Sequence, residues 1–437
     1  MTNLELGFWS FPVLMIMVFL RAPIGLAMLL CGFGGWYMAM GGNPTPLLSK
    51  MKSETYTTFS SYSLSIIPMF LLMGFIASQA GLTQGLFTAA RMFLGRVPGG
   101  LASSSVIASA LFASASGSSV ATAAAFSRIA VPEMLRANYD KGLACGAVAA
   151  SRTLGSLIPP SILMILFGIF TNSSISTLFV AGVIPGIMVG AMFMLYLLIK
   201  CIRNPAIAPR DLHTSSFGNI LVGFRQIWPL LALIIAVIGS IVGGIATPTE
   251  SAGVGVVLAI VICTMWGDLT FSKLIEAVYQ SVLLFSSIGF LVLGATILAQ
   301  SVSILGLPQQ ILESVAQSGF GKYSVLMIVV LIYLILGCFF DGLSLMIMTL
   351  PVVFPLLTGL GFDPIWIGVI ITIVIEIGQI TPPVGLNLSV LTALTKNDVS
   401  LGRVAYATVP YWLIHLCAIA ILTLFPMIAL FLPNLLF

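Results

Sequence analysis

The stretch 101-LASSSVIASALFASASGSSVATAAAFSRIAV-131, followed by 155-GSLIPPSI-162, decides the fold of this chain. Apolar helices are predicted over 101–112 and 120–131, with the small hydroxylated run 114–119 between them. The second motif interrupts the next apolar run. Inside a membrane, each backbone group that leaves a helix costs several kcal/mol unless protein, water or an ion satisfies it. We therefore expect both interruptions to line a site for a small ion and a solute.

The same pattern occurs a second time along the chain. Asp341-Gly342-Leu343-Ser344 interrupts the apolar run 323–360, and 376-EIGQITPP-383 interrupts the run after it. Ser119 and Ser344 are 225 positions apart, and Pro159 and Pro382 are 223 positions apart. Repeats with discontinuous helices at corresponding positions are the best sequence indication of a binding site in a secondary transporter.

Composition places the chain among membrane proteins. Of 437 residues, 59% are apolar and only 7% are charged, with a mean hydropathy of +1.15, whereas soluble domains carry about 25% charged residues. The length allows about ten to twelve spans. The net charge of +4 reflects basic loops and helix ends, so nucleic acid is not an expected partner. Two histidines and six cysteines without a CxxC pair predict no transition-metal site.

Five parts are predicted along the chain. They are scaffold spans with an interfacial helix at 1–96, a first hairpin and unwound helix at 97–172, scaffold spans with a basic loop and a long helix at 173–320, a second hairpin and unwound helix at 321–395, and a C-terminal span at 396–437. The fold class is all-α and polytopic, with inverted-topology repeats, two re-entrant helical hairpins, and scaffold and transport domains of the elevator type.

Some local assignments in these parts are less specific. Residues 4–40 fit either two short spans or one kinked span, and 41–58 are predicted to be a polar connector. Residues 81–96 fit an interfacial helix or an ordinary connector. Residues 273–305 are predicted to form one long helix, and 404–431 one closing hydrophobic segment.

The two hairpins are expected to open on opposite sides of the membrane. Each arm of the first, 97–113 and 120–135, is about 16 residues long, which is short for a full crossing of about 20. Its open end carries four basic residues and is therefore placed in the cytoplasm; they are Arg91, Arg96, Arg136 and Lys141. The open end of the second hairpin, bounded by Lys322 and Asp363, has little positive charge and should face the other side.

Sodium is the expected ion, because unwound helices supply backbone carbonyls and hydroxyl oxygens without burying additional charge. Small residues of this kind also permit close helix packing, but their recurrence at two positions favours ion binding. The candidate sodium ligands are Ser114, Ser116, Gly117, Ser118, Ser119, Thr122, Gly155, Ser156, Pro159, Asp341, Gly342, Ser344, Thr349, Thr381, Pro382, Gly385 and Asn387.

Arg152 is the candidate for binding a substrate carboxylate, with Ser119, Ser344 and Asn387 as further substrate ligands. An uncompensated charge in an apolar span costs roughly 2.5–3.5 kcal/mol on insertion scales. Pairing of Arg152 with Glu376 or another protein carboxylate is an equally good interpretation, because the repeat offset places Arg152 and Glu376 near equivalent positions.

Four ordered motifs carry a resemblance that covers essentially the whole chain. SGSSVATAAA at 116–125, GSLIPPSI at 155–162, GIATPTESAG at 244–253 and ITPPVGLN at 380–387 resemble the large membrane subunit of tripartite ATP-independent periplasmic (TRAP) transporters, the DctM-like family. The chain differs from the family pattern at three places, where it has Val120, Asp341-Gly342 and Arg152.

The resemblance implies sodium-coupled uptake of a small organic acid anion by an elevator mechanism in the bacterial inner membrane. The anion, a C4-dicarboxylate, sialic acid, another carboxylate or a sulfonate, would be delivered by a periplasmic solute-binding protein. A small four-helix membrane subunit would be a separate chain. Sodium is the coupling ion, and no cofactor is implied.

Other functional classes fit the sequence less well. A stand-alone sodium-coupled symporter or ion antiporter of related hairpin design, without a binding protein, is the alternative. An intramembrane hydrolase is disfavoured because Asp341 has no second catalytic aspartate and no Ser/His pair, so the chain is not expected to be an enzyme. A passive channel is disfavoured because closed re-entrant tips do not describe an open pore.

Overall fold

The computed structural model describes residues 3–116, 119–209, 217–382 and 399–437, together with Leu388 and Thr392. The elements of this part are helical, in the order α1 Asn3–Phe19, α2 Ile24–Ala39, α3 Pro44–Ser60, α4 Ile66–Gln79, α5 Leu82–Leu94, α6 Gly100–Ser116, α7 Ser119–Arg136, α8 Lys141–Ser151, α9 Ile162–Thr171, α10 Ile175–Arg203, α11 Phe217–Val242, α12 Pro248–Trp266, α13 Phe271–Ile304, α14 Leu307–Ser318, α15 Lys322–Gly337, α16 Gly342–Gly359, α17 Pro364–Ile380, α18 Leu401–Leu424 and α19 Met427–Leu436. Short 3₁₀ segments occupy Tyr62–Ser65, Arg152–Ser156 and Pro205–Ile207.

Seven of the helical segments in the described ranges are long and apolar enough to cross a membrane, and further apolar helices of 10–17 residues accompany them. The longest, α13, has 34 residues and confirms the predicted long helix. Large apolar side chains such as Ile235, Val257 and Leu331 are exposed on these helices, where a bilayer would cover them. The expectation of an all-α polytopic membrane protein is confirmed.

Three local predictions are settled or corrected by the structure. Residues 4–40 form two helices, because the chain turns at Arg21, which adopts a left-handed conformation with φ 68°, before Pro23. The predicted polar connector at 41–58 is wrong, since most of it belongs to α3, whose start is capped by the Asn43 side chain. The closing hydrophobic segment divides into α18 and α19 around Phe425 and Pro426.

The helix interruptions lie close to their predicted places, with two shifts. The hydroxylated run does not end α6, which continues to Ser116, and α7 begins at Ser119. Helix α8 ends at Ser151 and α9 begins at Ile162, so the first Pro-Pro motif lies outside a regular helix. The second Pro-Pro interruption begins at Thr381 and not at Glu376, because α17 remains helical to Ile380.

The element bounds repeat along the chain with the offset seen in the sequence. Helix α8 is capped by Asp140 and α17 by Asp363, which are 223 positions apart. Helices α5 and α14 both begin after a left-handed glycine, Gly81 and Gly306, at an offset of 225. The two halves therefore share their helix order and their start signals. One difference is that the segment α3–α4 is broken where its counterpart α13 is continuous.

Glycines at equivalent positions allow each hairpin to pack against its own interrupted helix. A Cβ atom on Gly155 would lie 1.9 Å from the Cβ of Ala113, near the end of α6. In the second half, a Cβ on Gly378 would lie 2.6 Å from the Cα of Gly337, at the end of α15. Gly155 and Gly378 are 223 positions apart. Small residues let helix backbones approach this closely in a membrane protein.

We expect Gly155→Ala to destabilise the protein, because the added methyl group overlaps the Ala113 side chain. Overpacking of this kind costs about 1–3 kcal/mol, which a thermal melt of the purified protein would show as a lowered midpoint. Gly253→Ala in α12 is the matched control, since its Cβ would have no neighbour within 4 Å. Equal melting temperatures for the two variants would contradict this packing.

The cap of α8 also connects it to α18. Asp140 Oδ1 accepts the Leu143 N–H at 2.9 Å, and Asp140 Oδ2 accepts from Arg403 Nη2 at 2.6 Å. Burial acts to raise the pKa of the Asp140 carboxyl, but the Leu143 hydrogen bond and the Arg403 guanidinium outweigh burial and hold that pKa below its usual value. The ionised carboxyl therefore stabilises the fold at neutral pH.

We expect Asp140→Asn to keep the cap and lose the ion pair, which costs about 0.2–1 kcal/mol for a pair exposed to this degree. Because the folded-state pKa is lowered, the difference from the parent should be constant from about pH 5 to pH 8. It should shrink as the pH falls below about 4, where the carboxyl becomes protonated. Thermal melts of the variant and the parent across this pH range measure the difference in stability. Asp363→Asn is the control, because the Asp363 carboxyl caps α17 and belongs to no ion pair within the described ranges. An equal, equally pH-dependent loss of stability in Asp363→Asn would refute the role of Arg403.

Candidate functional site

The two interrupted helices meet in the interior of the protein. The 3₁₀ segment Arg152–Ser156 packs against α6, α7 and α8 from its own half and against α17 from the other half. Helix α17 in turn packs against both arms of the second hairpin, α15 and α16. The first hairpin therefore contacts the first interruption, the second hairpin contacts α17, which leads into the second interruption, and the first interruption also contacts α17.

A buried polar cluster joins the two halves at this contact. We define the interface cluster as Arg152, Ser156, Glu376 and Gln379, whose side chains are 1%, 7%, 0% and 3% exposed, respectively. Ser156 Oγ donates a hydrogen bond to Glu376 Oε1. Arg152 Nη2 donates to Gln379 Oε1 at 3.4 Å. The cluster thus places one guanidinium and one carboxyl group in the buried interior of the protein.

Arg152 and Glu376 interact electrostatically without forming a direct ion pair. Their opposite charges are close enough to influence each other, yet the ion pairs found in the described ranges do not include this pair. Among the described residues, Arg152 Nε, Arg152 Nη1 and Glu376 Oε2 have no hydrogen-bond partner. The structure therefore supports the second interpretation of Arg152, charge compensation by Glu376, while leaving two of its nitrogen atoms available to a ligand.

The tip of the second hairpin covers one side of the interface cluster. A Cβ atom on Gly342, the first residue of α16, would lie 2.3 Å from Gln379 Nε2 and 2.9 Å from Ile375 Cγ2. A larger residue at this position would have to displace the Gln379 and Ile375 side chains. Asp341 precedes it and caps α16, with Oδ2 accepting the Ser344 N–H at 3.0 Å.

The candidate ligands at the second tip have different surroundings. Ser344 is buried and lies in the first turn of α16. Thr349 lies further along α16, where its hydroxyl donates to the Leu345 carbonyl at 2.7 Å and accepts from the Tyr333 phenol. One lone pair of the Thr349 oxygen remains after these bonds.

At the first tip, Ser114 and Thr122 are buried, and Ser114 Oγ donates to the Leu111 carbonyl at 2.7 Å. The side chains of Ser116 and Ser119 lie outside the described part of the chain. The same is true of four whole residues, namely Gly117, Ser118, Gly385 and Asn387. Roles predicted for these six residues stay predictions.

The interrupted segments contribute the remaining candidate ligands. Pro159 is buried between α8 and α9. Thr381 Oγ1 donates to the Ile377 carbonyl at 2.6 Å. The Pro382 carbonyl accepts from Cys338 Sγ at 3.4 Å, which places the second interruption beside the end of α15. Both interruptions thus lie next to the hairpin of their own half, as the repeat pattern requires.

Two further polar side chains at the site were not identified from the sequence. Gln379 follows Glu376 by about one helical turn, so a scan for polar residues on one face of an apolar helix would have found it. His415 in α18 lies beside the first interruption, with Nε2 3.0 Å from Thr153 Oγ1 and Nδ1 3.0 Å from the Tyr411 carbonyl oxygen. A carbonyl only accepts, so Nδ1 carries a proton. The Thr153 hydroxyl also donates to the Ala150 carbonyl at 2.7 Å.

A model of one protein family matches residues 11–428, described as "Tripartite ATP-independent periplasmic transporter, DctM component". The chain belongs to this family. The DctM family consists of transporter permeases, so the expectation that the chain is not an enzyme is confirmed.

Several relatives of this DctM-family chain carry more specific names. It is 36% identical to the C4-dicarboxylate TRAP transporter large permease DctM of Pseudomonas aeruginosa, over 87% of this chain and 88% of the relative. It is 30% identical to the sialic acid large permease SiaM of Vibrio cholerae, over 86% and 87% of the two chains. It is 31% identical to the ectoine large permease TeaC of Halomonas elongata, over 96% and 97%.

Among solved structures, the fold of this family member is similar to that of the YdaH transporter of Alcanivorax borkumensis. The TM-score is 0.61 at 14% sequence identity, covering 86% of this chain and 87% of that one. At this identity the likeness concerns the fold alone.

In this DctM-family chain, the charge compensation is measurable with a double-mutant cycle. We expect Arg152→Gln and Glu376→Gln each to destabilise the protein by about 3–5 kcal/mol, because each leaves an uncompensated buried charge. The double variant should be more stable than the sum of the single effects predicts, by about 1–3 kcal/mol. Thermal or denaturant unfolding of the purified proteins provides the free energy of unfolding of the parent, the two single variants and the double variant.

The control cycle pairs Arg152→Gln with Glu276→Gln, since Glu276 is an exposed residue of α13. The destabilising effects of these two substitutions should be additive. Additivity of Arg152→Gln and Glu376→Gln would show that the two charges do not compensate each other.

Proposed function

We propose that this chain is the large permease of a sodium-coupled TRAP transporter that takes a small organic acid from a periplasmic solute-binding protein and moves it across the bacterial inner membrane. The observation that carries this proposal is the contact between two interrupted helices, each packed against its own hairpin, within a DctM-family chain. A binding site at the junction of two repeats is the arrangement that secondary transporters use.

Sodium ions would bind where helices end. The last carbonyl groups of a helix have no partner within the helix, and they are partly negative because of the helix dipole. Helices α6, α8, α15 and α17 all end near the two tips and interruptions. Hydroxyls such as that of Ser344 and the carboxylate of Asp341 add hard oxygen atoms, which sodium prefers.

The carboxylate of the solute would bind where helices begin. Helices α7 and α16 begin at the two tips, with Ser119 and Gly342 as their first residues. The N-terminal N–H groups of a helix attract an anion. Arg152, Ser119, Ser344 and Asn387 remain the proposed substrate ligands.

The relatives named for C4-dicarboxylate, sialic acid and ectoine indicate the class of solute, a small carboxylate-bearing metabolite. Because the family is named for a tripartite periplasmic transporter, we also propose two partners, a periplasmic solute-binding protein and a separate small membrane subunit of four helices.

Transport would proceed by movement of the two hairpins and interrupted helices relative to a scaffold of the remaining helices. We propose that sodium binding orders both tips, that the solute then binds between them, and that this transport domain slides as one unit. The basic residues at the base of the first hairpin would keep that end on the cytoplasmic side. The opposite orientation of the second hairpin would give access from the periplasm.

The sodium site is testable in proteoliposomes. We expect Ser119→Ala and Ser344→Ala each to raise the sodium concentration for half-maximal uptake by about tenfold, since each removes one oxygen ligand worth about 1–1.5 kcal/mol. Uptake of radiolabelled solute with the partner proteins, measured against sodium concentration, gives this value.

Ser286→Ala serves as the control for this test. The Ser286 hydroxyl lies on the exposed face of α13 and, among the described residues, donates only to the Val282 carbonyl of its own helix, at 2.8 Å. Its sodium dependence should match that of the parent. An unchanged sodium dependence in both tip variants would refute the proposed ion sites.

A further inference from the structure

The interface cluster contains an unusual combination of charged groups for a site that handles organic acids. It carries one guanidinium and one carboxylate, both almost fully buried, so its net charge is zero. Ser156 occupies one oxygen of Glu376, and Gln379 occupies one nitrogen of Arg152. In the described ranges, the remaining oxygen of Glu376 and two nitrogens of Arg152 have no protein partner.

Two neutral side chains thus occupy the groups that a direct ion pair would use. Buried polar groups are normally hydrogen-bonded, and leaving a charged one without a partner is especially unfavourable. A ligand that satisfies this cluster must therefore accept hydrogen bonds from Arg152 Nε and Nη1 and donate one to Glu376 Oε2. A carboxylate meets the first requirement, and a protonated nitrogen meets the second.

We propose that the interface cluster binds a zwitterionic solute, with its carboxylate on Arg152 and its cationic group on Glu376. This inference rests on the proposed function and specifies its substrate class. A dicarboxylate would place its second negative charge near the Glu376 carboxylate in a medium of low dielectric constant, where like charges repel strongly. The cluster consequently discriminates against dianions by repulsion as well as favouring zwitterions by attraction.

The second hairpin controls access to this cluster. Gln379 Nε2 lies directly against Gly342 at the tip, so the tip closes one side of the cluster in this structure. Moving the segment that begins at Asp341 away from α17 uncovers the Gln379 side chain and, behind it, the guanidinium of Arg152. Solute binding and closure of the tip are therefore linked through Gln379.

A thermal-shift experiment on the purified permease with its small subunit tests this proposal. The probes are sodium alone, the zwitterions ectoine and glycine, whose cationic groups carry N–H donors, the monoanion lactate and the dianion succinate. We expect the zwitterions to raise the melting temperature in sodium and succinate to have no effect. Glu376→Gln should weaken zwitterion binding by about tenfold or more, as expected for the loss of one charge-assisted hydrogen bond, and should leave lactate unaffected or improved.

Glu276→Gln is the charge-matched control and should behave as the parent does. Stabilisation of the parent by succinate but not by zwitterions overturns the proposal, and so does equal zwitterion binding in a folded Glu376→Gln variant. If the Glu376→Gln variant does not fold, the thermal shifts that zwitterions and succinate cause in the parent protein decide the question. A shift with sodium and succinate only would leave the proposed function standing, whereas no shift with sodium or any solute would count against both.

Discussion

The structure depends on finding hydrogen-bond or ion partners for the backbone N–H and C=O groups that are freed where helices end inside an apolar protein. Without water, freed N–H and C=O groups must find protein or ion partners. The chain meets this constraint by bringing each interruption against a hairpin through glycine contacts, Gly155 on Ala113 and Gly378 on Gly337. Because these contacts exclude even a methyl group, the helix backbones beside each interruption pack directly against one another.

The buried interior holds one basic and one acidic side chain whose charges offset each other. Arg152 and Glu376 lie on different halves of the chain and compensate each other across the contact between them. A buried pair of this type contributes little net stability, since desolvation offsets the attraction, but removing one partner is costly. Its value lies in function. Two opposite charges held by Ser156 and Gln379 can exchange their mutual attraction for contacts with a ligand, whereas a tightly closed ion pair cannot.

The sequence predicted the features that follow from local physics. Hydropathy identified the apolar helices, and the offset between Pro159 and Pro382 identified the repeat that reappears in the caps of α8 and α17. Helix ends were less predictable. Helix α17 continues beyond Glu376, because Ile377, Gly378 and Gln379 belong to a helix that packs against α15 and α16. Tertiary contacts of this kind outweigh the local helix propensity. Gln379 and His415 were not identified because their roles arise from contacts across the two halves. For Arg152 the sequence permitted two interpretations, a substrate carboxylate or a protein carboxylate such as Glu376, and the structure places Glu376 close enough to interact with it.

In the proposed mechanism, coupling between ion and solute would follow from how few residues separate their proposed sites. The 3₁₀ segment Arg152–Ser156 is five residues long, yet Gly155 contacts the first hairpin, Ser156 binds Glu376 of α17, and Thr153 contacts His415 of α18. An ion that orders the first tip must therefore act on a segment that also holds Arg152. On the other side, Gln379 connects Arg152 to the second tip at Gly342. An empty tip that shifted away from either contact would alter the proposed solute site directly. Occupation by ion and solute would then be linked through packing over a few side chains, without a distant relay.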